Sequence, residues 1–137
     1  MLPNLLVGSQ DVAVDKPLLE LHKVTHVLSV GVPGLRIPAQ NVTHLFLDLL
    51  DLPESPLEEK LSEACDFIQK GLAKGTVFVH CNAGVSRAPT IIVGYLIKCR
   101  GMSPEEALQL VKEKRPCAKP NDGFWKALVK IHQEMSK

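Results

Sequence analysis

Four short β-forming runs alternate with helical segments in this sequence, and that order limits the folds open to the chain. The runs are Asn4–Gly8, Thr25–Gly31, His44–Leu50 and Thr76–His80. Strands that are separated by helices form βαβ units, so the order predicts an α/β fold built on a mainly parallel sheet. Because ligands bind such sheets at the carboxyl ends of the strands, the residues after each run are the first candidates for a functional site.

Helix signals fill the intervals between these runs. Ser55-Pro56-Leu57-Glu58 has the form of a capping box with proline at the first helical position, and Gly71 or Gly75 would end the helix that it opens. A further helix should follow Arg87. Its segment Ile91–Ile97 is apolar on nearly every side, which predicts a helix buried in the centre of the domain.

Length and charge fit one small globular domain. The chain has 137 residues, of which 45% are hydrophobic and 23% charged, and we assign residues 1–137 to one domain. Its 16 lysines and arginines nearly balance its 15 aspartates and glutamates, whereas nucleic-acid binding usually requires a basic surplus. The longest apolar stretch, Thr90–Ile97, is far shorter than the ~20 residues of a membrane helix. We therefore expect neither nucleic acid nor a membrane as a partner.

The first eight residues have neither the basic start nor the small-residue cleavage site of a signal peptide. This predicts a reducing compartment, the cytoplasm with the nucleus as an open alternative, in which cysteines stay free thiols. The four cysteines form no Cys-x-x-Cys pair and have no histidine cluster at zinc spacing, so we expect no metal and no other cofactor. They are Cys65, Cys81, Cys99 and Cys117.

The junction after the run Thr76–His80 combines a nucleophile with an anion site. Cys81 follows the run directly, five residues separate it from Arg87, and the predicted helix comes next. Gly84 permits a tight turn, so backbone N–H groups can converge on one centre at the helix N-terminus. With the Arg87 guanidinium these groups suit a tetrahedral dianion, and the same positive field favours the thiolate of Cys81. The pattern predicts a thiolate placed for in-line attack on phosphorus.

The loop is the predicted substrate-binding site. Its residues are Asn82, Ala83, Gly84, Val85, Ser86 and Arg87. A lone cysteine before a helix is more often an inert core residue, but the glycine and the arginine in the same junction favour a functional interpretation. Two interpretations of His80 stay open. We favour a structural role in which His80 orients the loop by hydrogen bonds. The alternative is that His80 is a core histidine whose hydrogen bonds are satisfied without any role at the site.

The motif His80-Cys-Asn-Ala-Gly-Val-Ser-Arg87 resembles the His-Cys-x5-Arg signature of protein tyrosine phosphatases, and its Ala-Gly-x-Ser-Arg form resembles the small atypical dual-specificity branch. Further similarities follow in the family's order along nearly the whole chain, at Leu5–Ser9, Val24–Leu28, Glu106–Leu108, Arg115–Pro116 and Pro120–Phe124. The resemblance implies a sheet of four to five strands flanked by helices and no metal. It also implies hydrolysis of phosphotyrosine, phosphoserine and phosphothreonine on proteins through a cysteinyl-phosphate intermediate.

The resemblance implies a general acid as well, an aspartate on a loop upstream of the phosphate-binding loop. Asp51 falls at the end of the run His44–Leu50, at the sheet edge where the site is expected, and Leu52–Ser55 after it resembles the family's acid loop. We therefore assign the acid to Asp51. Asp48, inside the run, and Glu54 are the alternatives.

The loop contains no lysine or arginine between Cys81 and Arg87, whereas relatives that act on inositol phospholipids or RNA 5′ ends tend to carry extra cations there. The resemblance thus favours phosphorylated proteins as substrates, with MAP-kinase-pathway proteins as the family's usual targets. Gly31–Pro38 is a candidate rim loop. Its Arg36 could meet a second substrate phosphate or could be a solvated surface charge.

One position departs from the family's pattern. The residue after the signature arginine is usually serine or threonine, whose hydroxyl helps the sulfur to leave the phosphoenzyme, and here it is Ala88. This predicts slow turnover unless Thr90, Ser86 or an ordered water supplies the hydrogen bond. The leading hypothesis is a dual-specificity phosphatase with a cysteine nucleophile, an arginine clamp and an aspartic acid. A phosphoprotein-binding scaffold, and sulfur transfer or arsenate reduction by a similar loop, are the alternatives.

Overall fold

A parallel sheet forms the centre of the described part of the chain. The computed structural model describes residues 2–34, 36–38 and 41–135, so Leu35 of the candidate rim loop lies outside the described residues. The strands are β1 (Leu5–Gly8), β2 (Val24–Val30), β3 (Thr43–Leu47) and β4 (Thr76–His80). They lie in the order β1-β4-β2-β3, and every pairing among them is parallel. The predicted α/β fold with a parallel sheet is confirmed.

Helices cover both faces of this sheet. They are α1 (Gln10–Ala13), α2 (Lys16–Leu21), α3 (Leu57–Lys74), α4 (Arg87–Arg100), α5 (Pro104–Lys114) and α6 (Asp122–Met135). Successive side chains of β4 point to opposite faces, and accordingly Phe78 packs with the residues of α1 and α2 whereas Val77 and Val79 pack with α3 and α4. No helix within the described residues is long and apolar enough to cross a membrane.

The third strand is shorter than the predicted run His44–Leu50. It ends at Leu47, whose carbonyl accepts a hydrogen bond from the N–H of Gly31 at 2.8 Å. At Gly31 the backbone has a φ of 71°, so β2 turns away and offers no further ladder partner to β3. The placement of Asp48 inside a strand is therefore wrong, because Asp48 follows the strand and is exposed.

The predicted capping box at Ser55 is also wrong. The N–H of Ser55 donates to the carbonyl of Leu52, and its own carbonyl accepts from the N–H of Leu57, so these residues form a turn before the helix. Helix α3 begins at Leu57, with no side-chain cap, and Gly75 follows its last residue. The prediction for the next helix is confirmed, since α4 begins at Arg87 and Ile91–Ile97 is buried throughout.

Candidate active site

The loop between β4 and α4 lies at the carboxyl edge of the sheet, with its carbonyl groups held by donors from outside it. Four successive carbonyls each accept a hydrogen bond: Asn82 from Gln10 N (3.0 Å), Ala83 from Arg115 Nη2 (2.7 Å), Gly84 from Arg115 Nε (2.9 Å) and Val85 from Lys119 N (2.6 Å). In a planar trans peptide the N–H points away from the C=O. Because four successive carbonyls face outward, the N–H groups of residues 83–86 face the inside of the loop, as an anion site requires.

Cys81 lies at the centre of this arrangement. The residue is 3% exposed, and its sulfur accepts a hydrogen bond from the N–H of Gly84 at 3.2 Å. Gly84 has a φ of 72°, and a Cβ at this position would meet the carbonyl of Gly8 and the guanidinium of Arg115. Both the backbone conformation and the close approach of β1 therefore require glycine here.

The role of Arg115 in the loop was not found from the sequence, where this residue is only a landmark of the resemblance. Its side chain comes from the end of α5, and it holds the Ala83 and Gly84 carbonyls at once. By holding the Ala83 carbonyl it aims the N–H of the same peptide unit, that of Gly84, at the Cys81 sulfur. No local pattern could have indicated this contact, because more than 30 residues separate the partners.

Arg87 is oriented by the turn that ends β2. Its Nη1 donates to the carbonyl of Gly31 at 3.1 Å, and the guanidinium is so close to this residue that a Cβ on Gly31 would overlap it. The side chain is half-buried at the start of α4. The structure thus places a cation beside the loop that carries Cys81.

Asp51 is linked directly to the loop. Its Oδ1 accepts from the Ser86 hydroxyl and from Asn121 Nδ2, at 2.8 Å each. Asn121 also donates its backbone N–H to the Ser86 oxygen at 3.0 Å and accepts from the N–H of Phe124, near the start of α6. The alternatives, Asp48 and Glu54, make no hydrogen bond to the loop in the described part of the chain.

His80 is fully buried and directly precedes Cys81. Its Nδ1 lies 3.2 Å from the carbonyl oxygen of Cys81, and its Nε2 lies 2.6 Å from the hydroxyl of Ser29. Burial lowers the pKa of His80 to about 4, against the opposing effect of its hydrogen bond to the Cys81 carbonyl. At neutral pH the ring is therefore uncharged, and it makes the hydrogen bonds that the loop-orienting interpretation requires.

Neither of the hydroxyl groups considered as donors to the Cys81 sulfur, Ser86 and Thr90, makes a hydrogen bond to it in the described part of the chain. The Ser86 hydroxyl donates to Asp51, and the buried Thr90 hydroxyl has no partner among the described residues. Ala88 is fully buried, and its side chain carries no hydrogen-bond donor. Within the described residues, the Gly84 N–H is therefore the hydrogen-bond donor to the Cys81 sulfur. Arg36 is exposed, which agrees with both of its interpretations.

No group of three histidine, cysteine, aspartate or glutamate side chains that could hold a metal ion occurs in residues 2–34, 36–38 and 41–135. The site is thus made of a thiol, a guanidinium, a carboxylate and inward-facing backbone N–H groups. Those are the parts of a cysteine-dependent phosphatase.

Comparison with known proteins agrees with this class. Residues 5–134 match the family model of the dual specificity phosphatase catalytic domain. The chain belongs to that family.

Individual relatives include dual specificity protein phosphatase 19 of Mus musculus, which is 43% identical over 92% of this chain and 58% of its own length. MAP kinase phosphatase with leucine-rich repeats protein 3 of Dictyostelium discoideum is 32% identical over 98% of this chain and 16% of its own length. The crystal structure of human DUSP28 superposes with a TM-score of 0.93 and 31% identity, covering 98% of this chain and 95% of that one. The chain therefore spans less than two thirds of the mouse relative and nearly all of the human structure.

Proposed function

We propose that this protein hydrolyses phosphate monoesters on tyrosine, serine and threonine side chains of proteins. Cys81 is the nucleophile, Arg87 the phosphate clamp and Asp51 the general acid. The observation that carries the proposal is the set of four outward-held carbonyls, because it turns the N–H groups of residues 83–86 toward the position of a bound phosphate above the sulfur. Family membership supports the same chemistry.

In the first step the Cys81 thiolate attacks phosphorus, forming an S–P bond as the ester P–O bond breaks. The leaving oxygen takes a proton from Asp51. Oδ1 of Asp51 already accepts two hydrogen bonds, so Oδ2 is the oxygen left to carry that proton. In the second step water attacks the thiophosphate, gives a proton to Asp51 and releases inorganic phosphate, and the sulfur leaves as thiolate.

The composition of the loop supports a monophosphate as the substrate group. Residues 82–86 contain no cation that could balance further phosphates. Arg115, the nearby cation that contacts the loop, uses its guanidinium on two carbonyls. The name of the Dictyostelium relative supports MAP-kinase-pathway proteins as partners, and we place the reaction in the cytoplasm, with the nucleus open.

A second candidate function, a phosphoprotein-binding scaffold with slow turnover, is favoured by one observation. The Cys81 sulfur accepts a hydrogen bond from the Gly84 N–H, whereas the Ser86 hydroxyl donates to Asp51 and the Ala88 side chain has no hydroxyl. A missing donor to the leaving thiolate slows breakdown of the phosphoenzyme by roughly tenfold to a thousandfold. Phosphate capture does not depend on that donor.

Rapid mixing with p-nitrophenyl phosphate tests both candidates. We expect a burst of nitrophenolate near one equivalent per site, then slower turnover. Cys81→Ser should abolish the burst and the turnover yet still bind a phosphopeptide, and residual activity above about one per cent would contradict the assigned nucleophile.

Ala88→Ser restores the donor, so it should suppress the burst and raise the steady rate. Thr90→Val is the control, because it removes a hydroxyl that has no partner in the described residues. A linear trace together with an unresponsive Ala88→Ser variant would reject slow turnover and leave the phosphatase assignment standing. If Thr90→Val slows turnover by the amount expected for a lost hydrogen-bond donor, Thr90 would be assigned as the donor to the leaving sulfur.

A further inference from the structure

A row of three polar side chains connects the surface of the sheet with the backbone of the nucleophile. His44 on β3 is exposed, and its Nε2 lies 2.7 Å from the hydroxyl of Ser29 on β2. The same hydroxyl lies 2.6 Å from Nε2 of His80 on β4, whose Nδ1 lies 3.2 Å from the Cys81 carbonyl. Ser29 and His80 are fully buried and are paired residues of neighbouring strands.

The chemistry of the partners, together with the uncharged state of His80, assigns the protons in this row. The Cys81 carbonyl can only accept, so Nδ1 of His80 carries a proton. Because buried His80 is uncharged at neutral pH, its Nε2 is bare and accepts the hydroxyl proton of Ser29. The Ser29 oxygen is then free to accept, and the donor it faces is Nε2–H of His44. The hydrogen bonds therefore run in one direction, from His44 to Cys81.

We propose that His44 is a positioning residue: by donating to Ser29, it keeps His80 uncharged and in the tautomer whose Nδ1–H holds the Cys81 carbonyl. Without that donor, Ser29 could accept from His80, and a protonated His80 would then find an acceptor at each of its nitrogens. The result would be a cation beneath the sulfur. Such a cation over-stabilises a thiolate and lowers its nucleophilicity.

The surroundings of His80 leave this role to His44. Ser29 faces it from β2, His44 acts on it from β3, and on its own strand the ring of Phe78 stacks on it at 5.6 Å. Of these three, His44 is the titratable group. Burial lowers the pKa of His44, and where His44 is protonated its positive charge disfavours protonation of His80. The inference rests on the proposed function only in taking Cys81 as the nucleophile.

The test follows the protonation of His80 by ¹⁵N NMR in variants that reverse the hydrogen bond at the exposed end. His44→Lys can only donate, and His44→Glu, with an ionised carboxylate, can only accept. We expect His44→Glu to raise the protonation midpoint of His80 by about one to two pH units, and His44→Lys to leave it at or below the original value. An unchanged midpoint in His44→Glu would overturn the proposal.

Ser29→Ala provides the control. Combined with His44→Lys or with His44→Glu, it removes the hydrogen bonds that link position 44 to His80 and keeps the charge of each variant. In this background the difference between the lysine and glutamate variants should fall to less than half. An undiminished difference would assign the effect to charge acting through space and overturn the proposal. A second measurement needs no variant: in the unmodified protein, neutral His44 should carry its proton on Nε2, and a proton found on Nδ1 alone would mean that the row runs in the opposite direction.

These measurements do not use phosphatase activity, so the two proposals can fail separately. Failure of the NMR series overturns the role of His44 alone. Retained activity in Cys81→Ser overturns the assigned nucleophile, and with it the consequence for catalysis, while the direction of the hydrogen bonds would still be measured.

Discussion

Gly31→Ala is expected to weaken phosphate binding, although position 31 carries no side chain that could contact the phosphate. Gly31 has a φ of 71°, and its carbonyl accepts the hydrogen bond from Arg87 Nη1. A Cβ added there would overlap the Arg87 guanidinium and the carbonyl of Leu49. The substitution therefore strains the backbone and at the same time displaces Arg87, the proposed phosphate clamp.

Gly34 allows the two effects to be separated. It has a φ of 73°, nearly that of Gly31, but a Cβ at Gly34 would meet no atom of the described residues within 4 Å. Alanine in the left-handed region costs about 1–2 kcal/mol at either position. Displacement of Arg87 removes hydrogen bonds to a charged phosphate that are worth roughly 1.5–3 kcal/mol, which corresponds to about 10- to 150-fold in affinity.

The assay measures the affinity for a phosphopeptide by calorimetry and the free energy of unfolding by urea titration. To prevent turnover, both glycine variants are made in the Cys81→Ser background. Gly34→Ala should lose only stability, whereas Gly31→Ala should lose stability and also the stated 10- to 150-fold in affinity. Equal phosphopeptide affinities in the two variants would refute the claim that the turn at Gly31 holds the clamp.

Two further predictions concern the acid and the buried histidine. Asp51→Asn should slow hydrolysis of a phosphoester with a poor leaving group by roughly a hundredfold, because the general acid is lost. The control variant Asp48→Asn should react at nearly the original rate. The reverse result in steady-state assays would assign the general acid to Asp48. The pKa of His80 is about 4 in the folded protein and near 6.5 in the unfolded chain. Between these two pH values the unfolded state therefore binds more protons than the folded state. The free energy of unfolding should consequently fall by about 3 kcal/mol as the pH drops from 6.5 to 4. Urea titrations at several pH values measure this loss, which His80→Gln should reduce, and an equal loss in that variant would assign it to other groups.

The local parts of the site could be predicted from the sequence because short-range physics determines them. A buried run, a glycine in a tight loop and an apolar helix follow one another between Thr76 and Ile97, and the structure has these elements at the expected places. The sequence also brings Asp51 to the correct edge of the sheet. That expectation needs only the direction of parallel strands, and the hydrogen bond from Ser86 places the Asp51 side chain beside the loop.

The supporting contacts could not be predicted in this way. Arg115 reaches back 31 residues to the Gly84 carbonyl, and Asn121 reaches back 70 residues to Asp51. Such partners depend on how α5 and the start of α6 pack near the loop, and periodicity within one helix does not report that packing. The same is true of Ser29 and His44, whose hydrogen bonds with His80 arise only when β2, β3 and β4 lie side by side.

The early end of β3 explains how Asp51 and Arg87 come to depend on a single turn. Because β2 turns at Gly31, the β2–β3 ladder ends at Leu47, and the residues that follow leave the sheet. That departure allows Asp51 to reach Ser86, where its carboxylate is held. The carbonyl of the same turn accepts from Arg87. A strand that continued to Leu50 would keep Asp51, the proposed acid, at the end of the sheet and away from Ser86. The shortened strand is therefore a requirement of the proposed site, and it is set by Gly31, which also orients Arg87.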